Sequence, residues 1–481
     1  MPSAQTTTFD LALAWVEKAN AFIWGPIFFL LIIGVGFYLT FLLRGVQFRR
    51  LIQGLRLAFF DSGESGDHVQ GDISHFQVLM TSLAATVGIG NIAGVAAAIA
   101  VGGPGALFWM WISALVGMAT KFAEAALGVR YRVKDSQGEM SGGPAVYLAR
   151  GVGGRFGRSL GFLYAIFAAL ASFGIGNMVQ SNSVADALRS SFGVSPVWTG
   201  AVLAALTALV ILGGIKSIGR FASILVPVML IFYTLGCLVV IAINFRGIPD
   251  MFALIFREAF TATAAVGGFT GATVMMAIRM GISRGVFSNE AGLGTGGIVA
   301  AAAKTGDSIT QALVSMTQTF IDTIIGCSLT AFVIIASGSW TGTDPVTGSV
   351  FTGAPLTIEA FNTALPGRMG DYIVSISIAL FAYATLLGWS YYGERNVEYL
   401  LGGRAILPYR IVFILGVFAG CWVLTLGGTR GFDFVWGFSD MLNGAMAVPN
   451  LIGLILLSGV VAADTREYFR KETEAGAEEG R

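Results

Sequence analysis

The segment Thr81–Gly117, TSLAATVGIGNIAGVAAAIAVGGPGALFWMWISALVG, decides how the chain is read. It is apolar enough for a bilayer, yet it carries glycine at 88, 90, 94, 102, 103 and 105. Glycine is tolerated in membrane helices, but Gly88-Ile89-Gly90-Asn91 at the centre of a spanning run predicts a helix that stops and restarts. Backbone released there must be buried in protein or face water, because lipid cannot satisfy it. The consequence is a pair of half-helix ends at mid-membrane, with N–H groups for an anion and carbonyls for a cation. The alternative is close helix packing through Gly90-x-x-x-Gly94.

Working outward, the 481 residues are 55% hydrophobic and only 12% charged, with mean hydropathy +0.75. A soluble domain carries about 25% charged residues, so this is a polytopic membrane protein. A net charge of +1 implies no nucleic-acid partner. Cys237, Cys327 and Cys421 all lie in apolar runs and read as buried thiols, not as a disulfide framework or metal site. His68 and His75 are the only histidines. The start, MPSAQTTTFD, lacks the basic region of a cleavable signal, and Phe9–Asn20 reads as an interfacial amphipathic helix or a plain lead-in.

Runs near the ~20 residues that a bilayer requires give about eleven spans. They fall at 22–43, 76–101, 106–128, 159–183, 197–217, 221–243, 262–283, 309–336, 371–392, 410–427 and 433–462. Alternate connections (44–56, 130–158, 216–220, 284–304, 395–410 and the tail from Arg466) hold 21 Lys/Arg. The opposite side holds six: Lys18, Arg189, Arg246, Arg257, Arg368 and Arg430. Lys121 and Arg279 lie inside spans. This asymmetry predicts an outside N-terminus and a cytoplasmic tail, Asp464–Arg481, that is charged and frayed.

Span seven carries Gly267-Gly268-Phe269-Thr270-Gly271 about 180 residues after Gly88, in a span that runs the opposite way. Two interrupted helices in matching places of two halves predict a 5+5 inverted repeat, with span one as an extra N-terminal helix. The expected organisation is a lead-in, extra helix and first cytoplasmic loop at 1–60, repeats at 61–250 and 251–463, and a tail at 464–481.

Polar residues inside spans are costly and mark function. Asp322, alone in span eight, reads as a second cation or proton site. Lys121 and Glu124, at i, i+3 on span three, read as a structural pair reaching the cytoplasmic edge. Phe173, Asn177 and Gln180 on span four suit a small polar ligand, and interhelical hydrogen bonding is the alternative. Thr385 and Trp389 share a face of span nine, where a hydroxyl can ligate Na⁺ and an indole can close a pocket; the alternative is a packing seam. Glu290, just after span seven, reads as a capped turn or an intracellular gate residue. There is no Gly-x-x-x-x-Gly-Lys-Ser/Thr, no His-Glu-x-x-His and no Thr-Val-Gly-Tyr-Gly, so an ATP-driven pump, a zinc protease and a potassium-type filter lack support. No nucleophile–base pair can be proposed, so an enzyme is not expected.

The string Gly102-Gly103-Pro104-Gly105-Ala106-Leu107-Phe108-Trp109-Met110-Trp111-Ile112 resembles the signature of the alanine/glycine:cation symporters, also called sodium:alanine symporters. Thr86-Val87-Gly88-Ile89-Gly90-Asn91-Ile92-Ala93-Gly94, Gly142-Gly143-Pro144, Gly176-Asn177-x-x-Gln180 and Ser288-Asn289-Glu290-Ala291-Gly292 are similar to that family too. More distantly, Gly88–Asn91 resembles the unwound first core helix of the leucine-transporter-type fold. The resemblance implies carboxylate binding by backbone N–H groups at Gly88, Ile89, Gly90 and Asn91. It implies Na⁺ held by carbonyls of Ala84 and Val87 and a span-nine hydroxyl, with Thr385 preferred over Ser377 and Ser390. The expected substrate site comprises the break with Thr86, the three span-four residues, Phe269 and Thr270 on span seven, and Trp389.

The expected function is secondary symport of a small neutral amino acid, alanine or glycine, inward with Na⁺ by alternating access in the cell membrane. No organic cofactor is expected; the partners are the amino acid, Na⁺ and the lipid bilayer. The rivals are a proton-coupled carrier of the same architecture using Asp322, and a non-transporting amino-acid sensor or channel.

Overall fold

A chain in lipid must satisfy its backbone internally, and the apolar runs do so as helices. The computed structural model describes residues 8–60, 70–262, 271–345, 348–426 and 429–479. Among them, eight helices are long and apolar enough to cross a bilayer. His75–Thr86 and Gly90–Gly102 pass the same test together and are bent by 54° at their junction. Span five is Pro196–Ile211 and the described part of span seven is Val274–Asn289, each 16 residues and shorter than the rest. Apart from the first part of span seven, the described parts of the apolar runs fall on helix, and the protein is a predominantly helical, multi-pass membrane protein, with one short two-stranded pairing, Val133–Lys134 against Met140–Ser141.

Three boundaries differ from expectation. Span seven, expected from 262, is preceded by a separate helix, Ile248–Phe260, and resumes only at Val274. Its interruption, with Gly267, Gly268, Phe269 and Thr270, lies outside the described residues. Arg284, expected in a cytoplasmic loop, belongs to the Val274–Asn289 helix. The tail is helical rather than frayed, as part of Thr429–Glu479. Glu467–Lys471 and Arg470–Glu474 pair at i, i+4 along it, and Arg50 and Arg130 hold it to the body through Glu472 and Asp464.

The N-terminal segment is also helical, Thr8–Ile23, and leans on the last helix: Asn20 Nδ2 donates to Gly437 O at 2.6 Å and Trp24 Nε1 to Asp440 O at 3.0 Å. All three cysteines are buried and free. At the end of the molecule holding the 131–143 segment, Arg395 is buried among Asp135, Glu139, Glu394 and Glu398, at 2.7–3.5 Å. Burial pushes the Glu139 carboxyl up, with Arg395 pulling the other way.

Candidate functional site

The break in span two forms because the helix runs out of donors in register. His75–Thr86 ends at Val87, whose ψ of 89° turns the chain away. The Gly88 N–H, which a continuous helix would give to Ala84 O, goes instead to Asn91 Oδ1 at 3.0 Å. The Asn91 N–H, which would serve Val87 O, goes to Gly88 O at 3.2 Å. The carbonyls of Ala84 and Val87 therefore lose their helical donors, as the sequence led us to expect. The chain restarts with a wide π turn at Gly90–Gly94. Close packing through a Gly90-x-x-x-Gly94 pair does not account for Gly94: a β-carbon there would meet nothing within 4 Å.

Span nine passes the break at close range. A β-carbon on Gly88 would lie 2.5 Å from Thr385 Oγ1 and 3.5 Å from Gln180 Oε1. One turn further on, Gly388 lets span nine approach Ala85, where an added β-carbon would meet the Ala85 Cβ at 2.6 Å. Thr385 Oγ1 donates to Phe381 O at 3.1 Å, which leaves its lone pairs for another ligand. Gln180 Nε2 is held by Ile175 O at 3.0 Å, while its Oε1 is buried with no partner. Gly88, Thr385 and Gln180, drawn from three spans, thus converge. Ser377 and Ser390 donate to Ile373 O and Leu387 O of their own helix.

Asn91 and Asp322 lock this arrangement. Asn91 Nδ2 donates to Asp322 Oδ1 at 2.8 Å and to Asp322 O at 3.1 Å. Asp322 Oδ2 accepts from Ser288 at 2.8 Å and Thr323 at 2.7 Å. The carboxylate is fully buried, and these side-chain donors are all neutral. It joins the break to span eight and to the C-terminal end of span seven. Thr86 accepts from Gln318 Nε2 at 2.9 Å beside it.

On the side of the break towards the C-terminal end of span nine lies a second polar layer. Trp389 Nε1 donates to Glu290 Oε1 at 2.8 Å, and Thr295 Oγ1 donates to Glu290 Oε2 at 2.7 Å. Lys121 Nζ reaches Thr295 at 3.1 Å. Glu124 Oε1 accepts from Gly292 N, Gly294 N and Asn450 Nδ2 at 2.9–3.0 Å. Glu290, at φ 58°, does cap a helix, but its buried side chain bridges spans. Lys121 and Glu124 are fully buried rather than at the edge. They bind the segment after span seven instead of each other, because that segment offers unpaired N–H and hydroxyl groups.

On the opposite side, a cavity of about 430 Å³ is lined by Glu17, Arg279, Arg284, Phe287 and Asp440 among others. Phe287 is its contact with the break, since a β-carbon on Gly90 would lie 3.2 Å from that ring. Phe287 stacks on Trp436 with centroids 6.4 Å apart.

Several expected ligands point elsewhere. The Gly88 N–H is taken by Asn91, and the Asn91 amide is spent on Gly88 and Asp322. Asn177 Nδ2 donates to Phe413 O at 2.7 Å, and Phe173 packs on Tyr409 and Phe413, so both serve the seam with span ten. The wide turn at Gly174–Met178 rotates them away from Gln180, which a uniform helix would not do. Trp389 faces Gly176 and bonds Glu290, one turn beyond Thr385. Phe269 and Thr270 lie outside the described residues. Gln318, Thr295 and Asn450 escaped the sequence reading; each is a polar residue in an apolar run, which was the available signal.

Known proteins place this geometry in context. The chain is 51% identical over 456 residues to the sodium/alanine symporter AgcS of Methanococcus maripaludis, covering 94% of this chain and 96% of that protein. It is 36% identical to the probable sodium/glutamine symporter GlnT of Bacillus subtilis, covering 95% and 91%. It is 35% identical to the putative sodium/proton-dependent alanine carrier protein YrbD of the same organism, covering 96% and 93%. The family model of the sodium:alanine symporters matches residues 10–480, so the chain belongs to the sodium:alanine symporter family and is a cation-coupled amino-acid symporter, not an enzyme.

Proposed function

We propose that the protein imports small neutral amino acids, alanine and glycine, together with Na⁺ by alternating access across the cell membrane. Its N-terminus is outside, its tail is cytoplasmic, and its two broken helices belong to a 5+5 inverted repeat. The observation that carries the reading is the convergence of Thr385 Oγ1 and Gln180 Oε1 on Gly88, beside the two carbonyls that the break unlatches. Hard neutral oxygens from Ala84, Val87 and Thr385 suit Na⁺. The N–H groups of Ile89 and Gly90 take the substrate carboxylate, and the unpartnered Gln180 oxygen takes its ammonium group. Trp389 and Glu290 close the cytoplasmic route. The name of one relative supports alanine and Na⁺.

A second reading, proton coupling, has one specific observation in its favour: Asp322 is a fully buried carboxylate served only by neutral side chains. A relative's name also mentions sodium/proton dependence. Labelled alanine uptake into proteoliposomes under separately imposed Na⁺ and H⁺ gradients separates the two. The Na⁺ gradient alone should drive accumulation, glycine should compete, and lysine and glutamate should not. Thr385→Ala should weaken Na⁺ activation, and Thr385→Ser should retain it. Uptake driven by H⁺ alone, or an unmoved Na⁺ curve in Thr385→Ala, overturns the assignment.

A further inference from the structure

We propose that the inner ends of span one and the last helix form a binding site for the phosphate of an anionic phospholipid. Span one, Pro26–Leu42, ends in a tight turn in which Arg44 (φ 54°) and Gly45 (φ 65°) are both left-handed. A non-glycine residue in that conformation is uncommon and marks a constrained site. The short helix Val46–Arg49 follows, and the last helix runs past it. Between them is a cavity of about 320 Å³ lined by Arg44, Arg49, Arg50, Arg466 and Arg470, with Leu42, Phe469 and other residues completing the wall.

Five guanidiniums share this cavity, and no carboxylate lines it. Arg50 pairs with Glu472 at 3.2 Å and stacks over Phe469 at 4.2 Å, and Arg470 reaches Glu474 at 3.8 Å. Among the described residues, no carboxylate comes within 4 Å of Arg44, Arg49 or Arg466. Three uncompensated charges around one concavity call for an anion, and the guanidinium fork matches phosphate oxygens.

A soluble phosphate would satisfy the charges alone. The surroundings favour a lipid. Phe41 and Phe48, next to the arginines in sequence, are 77% and 60% exposed. The following helix, Leu51–Phe60, exposes Ile52, Phe59 and Phe60 as well. Apolar side chains bared beside a basic cavity at the end of a span provide for acyl chains and headgroup together. This site is remote from the break and independent of which amino acid or cation is carried.

The test uses the full chain in neutral detergent, titrated with short-chain phosphatidylglycerol, short-chain phosphatidylcholine and inorganic phosphate, with thermal unfolding and direct binding as readouts. Phosphatidylglycerol should bind saturably and raise the unfolding temperature; phosphatidylcholine should do neither, and inorganic phosphate should bind far more weakly. Each of Arg44→Gln, Arg49→Gln and Arg466→Gln should weaken phosphatidylglycerol binding roughly five-fold, and the triple variant about a hundred-fold. The corresponding triple lysine variant keeps the charge but not the fork, so it should bind phosphatidylglycerol saturably but more weakly than the native chain and more tightly than the glutamine variants, which covers the case in which the triple glutamine variant does not fold. Equal binding of phosphatidylcholine, or undiminished binding by all three single variants, overturns the proposal. Inorganic phosphate binding as tightly as phosphatidylglycerol also overturns it, in favour of a soluble-anion site.

Discussion

Gly88 and Thr385 are fitted to each other: a β-carbon on Gly88 would lie 2.5 Å from Thr385 Oγ1, closer than carbon and oxygen can approach. The break in span two and the hydroxyl of span nine therefore share a space that only glycine leaves open. Gly94, in the same segment, has nothing within 4 Å of such a carbon. The two positions differ in packing although they look alike in sequence.

Gly88→Ala should consequently reduce uptake by more than ten-fold, whereas Gly94→Ala should retain it. Forcing a methyl into a filled space costs about 1–3 kcal/mol, and here the shift falls on a proposed Na⁺ ligand. Initial uptake rates, normalised to protein in the membrane, check this. Equal rates for the two alanine variants would place Thr385 outside the transport site.

The helical, membrane-spanning character of the chain and the break in span two were legible because each rests on local information: run length, and a Gly-x-Gly-Asn centre that cannot hold helical register. Thr385 was legible as a span-nine hydroxyl that could ligate Na⁺ or line a packing seam, resemblance to a family favoured the first, and the structure sets it against Gly88. What stayed hidden depends on contacts without a local signature. Glu124 meets Asn450 across 326 residues, and Glu290 meets Trp389 across 99. Spacing misled at Asn177, where the wide turn at Gly174–Met178 changes which face is presented. It misled at Lys121 and Glu124 too, because i, i+3 proximity says nothing of what a neighbouring segment offers.

Asp322→Asn tests whether that carboxylate is a latch or a proton carrier. Its two oxygens accept from Asn91, Ser288 and Thr323. Replacing the charge weakens three bonds, and a bond to a charged group is worth about 1.5–3 kcal/mol. As a latch, Asp322→Asn should lower stability and share its effect with Asn91→Ala, so that the double variant costs less than the sum of the singles. Uptake should fall but keep its dependence on Na⁺. Thermal unfolding of the four proteins, with uptake against Na⁺ at fixed pH, makes the comparison. Additive stability effects together with complete loss of ion coupling would make Asp322 the coupling group instead.

The Trp389–Glu290 bond should set how often the cytoplasmic route opens. The indole N–H gives a charge-assisted bond at 2.8 Å, and Glu290 is tied onward through Thr295 to Lys121. Removing a bond worth about 1.5–3 kcal/mol from the closed form alone raises the open fraction roughly ten- to a hundred-fold. Cys327 is a built-in reporter, because it is buried beside Asn91 and Ser288 at the far side of this layer. In a background with Cys237 and Cys421 changed to alanine, a membrane-impermeant thiol reagent applied from the cytoplasmic side should label Cys327 slowly. Trp389→Phe, which keeps a ring against Gly176 but loses the donor, should speed labelling by at least ten-fold. Glu290→Gln keeps an acceptor oxygen without the charge and should fall between the two. Labelling that is unchanged in Trp389→Phe, or equally fast from the opposite side, would show that this bond does not hold the route shut.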